Sequence, residues 1–345
     1  MIEQPQLEFE DFNLESSINR AINFLSHHQL SDGEFKTYGS LVDSSDETCN
    51  FDSSVFVTSL VVYALSFREN LQIKEMQEKA LDFLSEQMEP VGVWRYWSSK
   101  NSMRRFIPPD LDDTCCISFV LKKYRNSPSN HQLILANRNR EGLFYTWILP
   151  RLSILVSFPG FWLTSCLAIP FYSILFRTTE ANINNIDCGV NANIVLYLGD
   201  TKETKKVIDY LINITLAGEE KKRDSWYLSS LPHYYFLSRA YFNGVSKLES
   251  VKQKIISNLE QILECEEYNN PLDIALVICI FMNFWHITPA LQPAIGFLLK
   301  MQGTDGDWTR IPFYYGGPKG VYGFGSSELT TAFCIEALAR YQQVY

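Results

Sequence analysis

Three stretches of this sequence repeat one another although they lie far apart: "FLSHHQLSDGEF" (24–35), "FLSEQMEPVGVW" (83–94) and "FLLKMQGTDGDW" (297–308). Each runs Phe-Leu, then a glutamine (Gln29, Gln87, Gln302), then a glycine (Gly33, Gly92, Gly306), then an aromatic (Phe35, Trp94, Trp308). This reads as an amphipathic helix that stops at a glycine turn, where the aromatic can stack on the glutamine amide. Such a unit cannot bury its apolar face alone, so its copies must stack on one another. The repeat therefore limits the fold more than any local propensity does.

After each turn a second helix starts polar and continues apolar: "NFDSSVFVTSLVVYAL" (50–65), "DLDDTCCISFVL" (110–121) and "SSELTTAFCIEALARY" (326–341). Three weaker copies have second helices near 185–198, 231–241 and 270–284, and first helices are visible for two of them at 205–215 and 251–263. Six helix pairs of roughly 40–60 residues are expected. They can form an open superhelix or close into a ring. Second helices that are apolar all round, such as "ALVICIFMNF", fit a buried inner ring. The expected fold is all-α, a single (α/α)6 toroid domain over 1–345.

Composition narrows the function. A net charge of −9 and a pI near 5.2 exclude a nucleic-acid footprint. The eight cysteines (49, 115, 116, 166, 188, 265, 279, 334) have no disulfide spacing, and "MIEQPQLEFEDF" lacks the features of a secretory signal. A reducing, cytoplasmic location is expected. No dinucleotide fingerprint, P-loop, nucleophile elbow or HExxH occurs. The aromatic share of 14% exceeds what a core requires.

The starts of the inner helices carry Asp52, Asp112 and Asp113, Asp187, His233, Asp273 and Glu328. In a closed ring these starts converge on one end of a central cavity. Capping and the helix dipole also favour acids there. Recurrence in all six repeats points beyond capping, to a polar, substrate-binding site. The densest cluster is "IPPDLDDTCCISFVL" (107–121), with Asp110, Asp112 and Asp113. It is either a helix cap or a carboxylic acid kept protonated by burial and like charge.

"DLDDT" (110–114), following a Gln…Gly…Trp turn, resembles the Asp-X-Asp-Asp-Thr motif of the class II terpene cyclases, the squalene-hopene and oxidosqualene cyclase superfamily. The prenyltransferase β-subunits share the same toroid. The resemblance implies that Asp112 protonates an isoprenoid alkene or epoxide, with Asp110 and Asp113 as its neighbours, and starts a cationic ring closure. It implies an isomerase with an isoprenoid or lipid substrate and no cofactor, Mg2+ entering only with a diphosphate substrate. Aromatic faces attract cations without quenching them, and Trp97, Tyr145 and Trp147 are candidates for that wall. Two features depart from the family: Cys115 stands where alanine is usual, and one toroid consumes the chain where the cyclases normally have two. A homodimer, a partner subunit or an inserted segment must then close the cavity. The zinc of the prenyltransferase branch is not expected, because "DC" (187–188) is present without the His-Thr-Cys pattern. Alternative readings are a non-catalytic lipid- or protein-binding toroid and a carboxylate-dependent hydrolase or lyase.

Residues 152–176 hold no charge, between Arg151 and Arg177. The stretch is long enough to span a bilayer, but Pro159, Gly160 and Pro170 argue against one straight helix. It interrupts the third repeat, whose flanks must return to one toroid. A dip into one leaflet, or an apolar flap over the cavity, is expected of this insertion at about 150–177. A membrane-surface contact would make the protein peripheral. Arg104 and Arg105 in "SMRRF" read as a surface loop or as partners of the aspartates, or of a diphosphate.

Overall fold

The computed structural model describes residues 14–42, 49–264, 270–317 and 321–344; residues 1–13 and Cys265 lie outside them. Twelve of the helices pair as the repeat requires. The outer members are α1 (Leu14–His28), α3 (Leu71–Glu86), α5 (His131–Ala136), α9 (Lys205–Ala217), α11 (Lys252–Glu264) and α13 (Leu291–Met301). The inner members are α2 (Val55–Ala64), α4 (Leu111–Tyr124), α8 (Cys188–Leu198), α10 (Leu231–Phe242), α12 (Pro271–Asn283) and α14 (Ser327–Gln342). Each inner helix packs on the next in chain order, and α14 packs back on α2. The ring is closed: an α/α toroid, not an open superhelix.

Burial explains the two layers. In α12 every residue but Asp273 is buried, so the helix has no face for water. In α3 the buried positions Ile73, Met76, Gln77, Ala80, Leu81, Phe83 and Leu84 follow helical spacing, leaving the opposite face polar.

The glycine turns stitch neighbouring pairs together. Gln29 donates to the Gly33 carbonyl (3.0 Å) and to the Met76 carbonyl of α3 (2.9 Å). Gln302 donates to the Gly306 carbonyl (2.8 Å) and to the Ser17 carbonyl of α1 (2.9 Å), which joins the last pair to the first. Gly33 and Gly306 have φ of +95° and +91°, and a Cβ on either would stand 2.0 Å from the Lys79 oxygen or 2.5 Å from the Arg20 oxygen. Glycine is required there by conformation and by space. The aromatics point inward. Trp94 and Trp308 are fully buried, and each indole donates to the outer helix just left, at Leu84 (2.7 Å) and Leu298 (2.8 Å). Burying about 150–250 Å2 per indole is worth on the order of 4–6 kcal/mol.

A small antiparallel sheet, ordered β2-β1-β4-β3, spans the seam between first and last repeats. It comprises β1 (Tyr38–Leu41), β2 (Asn50–Phe51), β3 (Tyr314–Gly316) and β4 (Tyr322–Gly325), with Tyr38 opposite Gly325. The uncharged stretch forms two helices, α6 (Leu152–Ser157) and α7 (Pro159–Thr178), between outer α5 and inner α8. Pro159 opens α7, where its missing N–H costs nothing, and Pro170 lies inside it. Helix α7 rests on the short turn Arg104–Phe106 and leaves most of its side chains exposed.

Candidate active site

One end of the ring holds a cavity of about 220 Å3, more than ten times what a single water needs. The Asp110–Asp113 segment forms its floor. Aromatic side chains form most of its wall, including Phe56, Tyr96, Trp97, Trp147, Trp226 and Phe324. Residues Tyr314–Gly316 of β3, Gly317 after it, and the end of α7, through Leu175 and Thr179, complete it. The sheet and the end of the inserted helix thus both line the cavity.

The three aspartates divide their tasks. Asp110 is the N-cap of α4, its Oδ1 accepting from the Asp113 amide at 2.8 Å. Its Oδ2 has no partner among the described residues. Burial pushes Asp110 up to about 6, partly offset by the Asp113 hydrogen bonds. Asp113 is held well above the usual carboxylate range, by burial first and then by the charge of Asp110. Asp112 projects one position further, toward the cavity, and is enclosed by protein though reachable from that space.

Two donors hold the Asp112 carboxyl. Asn193 Nδ2 of α8 donates to Oδ1 at 2.6 Å, and the Tyr227 hydroxyl lies 3.4 Å from Oδ2. Asn193 is locked in turn, because buried Arg239 of α10 donates to its Oδ1 at 2.5 Å. A guanidinium can only donate, so the Asn193 amide must turn its NH2 toward Asp112. Oδ1 of Asp112 is then an acceptor, and the acid proton belongs on Oδ2. Burial raises Asp112 to about 7; the Asn193 bond opposes that, the Asp110 charge adds to it, and Arg239 pulls it down. A carboxyl at that value is both protonated and able to give up its proton near neutrality.

Asp110, Asp112, Asp113, Trp97 and Trp147 lie on the cavity, whereas the other candidates do not line it. Asp52 stands behind the wall, accepting from Trp97 Nε1 (2.8 Å), Tyr96 OH (2.8 Å) and Asn101 Nδ2 (2.9 Å). Asp187 likewise accepts from Thr146 Oγ1 (2.6 Å) and Trp226 Nε1 (3.1 Å). His233 turns outward to Thr215 of α9 at 3.0 Å, and burial lowers it to about 4. Asp273 is used in a reciprocal cap with Asn270, both contacts at 2.8 Å. Glu328 faces His28 of α1 at 3.6 Å. Tyr145 lies under the Arg151 guanidinium, 3.4 Å from its ring centre. For these last four, local pairing with the outer layer or the helix start outweighs the pull of the cavity. Arg104 pairs with Glu89 at 2.9 Å and Arg105 packs over Phe106 and Phe171, so neither lines the cavity. Among the described residues no cluster suits a metal ion.

Sequence reasoning did not single out Asn193, Arg239, Tyr227 or Trp226. The first two had a signal: an amide inside "CGVNANIVLYL" and a charge inside "LPHYYFLSRAYF", both helices otherwise nearly all buried. Polar groups in such helices need partners.

The toroid is the fold of solved type II terpene cyclases. In particular, the chain matches the type II terpene cyclase MstE from Scytonema at 15% identity, with a TM-score of 0.65 over 96% of this chain and 99% of that one. A variant of MstE in complex with the substrate geranylgeranyl dihydroxybenzoate matches at 15% identity and a TM-score of 0.61, over 98% and 100%. A protein from Actinoplanes matches at 15% identity and a TM-score of 0.68, over 96% and 100%. A family model, the A-macroglobulin TED domain, matches residues 6–98. No curated protein sequence gives a significant match.

Proposed function

We propose that this protein is an isomerase of the class II terpene cyclase type, in which Asp112 protonates an isoprenoid alkene or epoxide. The reading rests on Asp112 itself: a buried carboxyl near neutrality, its Oδ1 occupied by Asn193, set in an aromatic cavity. The Oδ2 proton adds to one carbon of a terminal C=C through its π pair, or to the epoxide oxygen, whose C–O bond then breaks to leave a hydroxyl and the cationic carbon. The electron pair of the next C=C then forms a carbon–carbon bond to the cationic carbon. Loss of a proton from the last cation makes the product an isomer of the substrate, so no cofactor enters the balance. Trp97, Trp147 and Trp226 line the cavity, where their π systems can attract cations and carry no free lone pair to quench them. The structural likeness to MstE with its geranylgeranyl substrate supports a greasy substrate of that class. Incubation with C15–C30 polyprenols, their epoxides and their diphosphates, followed by mass spectrometry, tests this. Cyclised isomers support it. Hydrolysed or eliminated products would favour the hydrolase or lyase reading, and binding without conversion the lipid-binding one.

The reading extends to the membrane. Helix α7 is long and apolar enough to cross a bilayer, and only 11% of its most apolar stretch is buried. Both its flanks return to the toroid, so it would lie in one leaflet, with Leu175 and Thr179 at its end on the cavity wall. Leu163, Leu167 and Phe171 are exposed. Changing these three to serine is expected to release the protein from liposomes in flotation assays with helical content unchanged. Undiminished flotation would leave α7 as an apolar flap.

A further inference from the structure

We infer that Asp52 and Asp187 are positioning residues that hold the Trp97 and Trp226 indoles as the two walls flanking the acid, and so set which ring closure the cavity favours. This rests on the cyclase reading and goes beyond it.

The repeat carries the inference. Asp52 precedes α2 and takes the indole N–H of Trp97, which comes from the loop entering the next inner helix, α4. Asp187 stands at the N-cap position of α8 without a side-chain capping bond, and takes the indole N–H of Trp226, from the loop entering the next inner helix, α10. Both carboxylates are off the cavity, while both indoles are on it. Asp52 reaches further, because Tyr96, whose hydroxyl it holds at 2.8 Å, also meets the Tyr314 hydroxyl at 2.8 Å, and both rings line the cavity. One carboxylate therefore fixes three aromatic faces.

The repeat between them makes the same backbone contact without the side-chain bond. Asp110 bridges Trp147 as Ser54 bridges Trp97. Yet Trp147 Nε1 and Asp110 Oδ2 both lack partners among the described residues. The indole is thus bound at Asp52 and Asp187 and unbound at Asp110, the helix cap two positions before the acid Asp112.

Asp52→Ala, Asp52→Asn and Trp97→Phe test this, with indole-labelled protein read by NMR and product ratios read by gas chromatography. In Asp52→Ala the Trp97 N–H proton resonance should move upfield. The ratio of main product to other cyclised products should change about tenfold, the effect of losing one charge-assisted hydrogen bond at a branching barrier. Asp52→Asn keeps an acceptor for the indole and should restore most of both readouts. Trp97→Phe should shift the ratio in the same direction, and combining it with Asp52→Ala should add little. If Asp52→Ala does not fold, Trp97→Phe against Asp52→Asn carries the comparison: only the former should shift products. An unmoved Trp97 resonance in Asp52→Ala, or an unchanged product ratio in Trp97→Phe, overturns the inference. The resonance needs no substrate. A wild type that forms no product while that resonance still moves would overturn the cyclase reading and leave the anchoring in place.

Discussion

Asp112→Asn is expected to reduce cyclisation by more than the roughly 10²–10⁴ typical of general acid catalysis, because alkene protonation has no easy alternative route. The contacts should survive. An asparagine oxygen can still accept from Asn193, and its amide can donate to the Tyr227 hydroxyl. Two pH effects accompany this. Activity needs the protonated acid, so with Asp112 near 7 it should hold below that value and decline above it. The stability effect has the sign of a carboxyl raised on folding. Wild-type stability falls as pH rises from the unfolded value near 4 through the folded value near 7. The substituted amide cannot ionise, so at pH 8 the variant should be the more stable protein, by on the order of 2–4 kcal/mol. Denaturant melts of both proteins at pH 5 and pH 8 measure the difference. Equal midpoints at both values would mean that Asp112 ionises freely.

Gly33→Ala is expected to produce the largest loss of stability from one added methyl group. The new Cβ would meet the Lys79 oxygen of α3 at 2.0 Å, on a residue at φ +95°. A non-glycine residue there costs about 1–3 kcal/mol in backbone strain, and displacing the neighbouring helix adds about 1–3 kcal/mol more. Gly218→Ala is the control: φ is +69° but nothing stands within 4 Å of the added atom, so only about 1 kcal/mol is expected. Thermal melts of the two variants should differ by several degrees. Similar melting points would show that the turn does not press on α3 as closely as described.

The ring was legible because its signal is redundant. Gln29, Gln87 and Gln302 each stand before a glycine and an aromatic, and the apolar inner helices allow only burial. A fourth copy of the turn escaped notice: Gly142 at φ +91° is followed by Phe144, whose amide donates to Asn191 at 3.1 Å. Its glutamine is replaced by Arg138, so the motif is broken in letters and kept in geometry. The site was half legible. Adjacent carboxylates on an apolar helix mark Asp110–Asp113 without any tertiary information. Spacing alone could not separate acids that face the cavity from those that face the outer layer, because capping, dipole and catalysis all favour acids at the same helix positions. Thus Asp273 pairs with Asn270, Glu328 with His28, and His233 with Thr215. Asn193 lies 81 residues from Asp112 in sequence and Arg239 a further 46, and only the closed ring brings them together.

The central claim is that a proton passes from Asp112 to carbon or to an epoxide oxygen and starts ring closure. Running the reaction on an isoprenoid alkene in D2O tests it directly, since deuterium from the exchanged carboxyl is carried into a non-exchangeable C–D bond. The expected result is a cyclic isomer one mass unit heavier, with the label at the less substituted carbon of the former terminal alkene, from the wild type, and no such product from Asp112→Asn. A cyclic product that forms without the label, or that Asp112→Asn makes equally well, would contradict it.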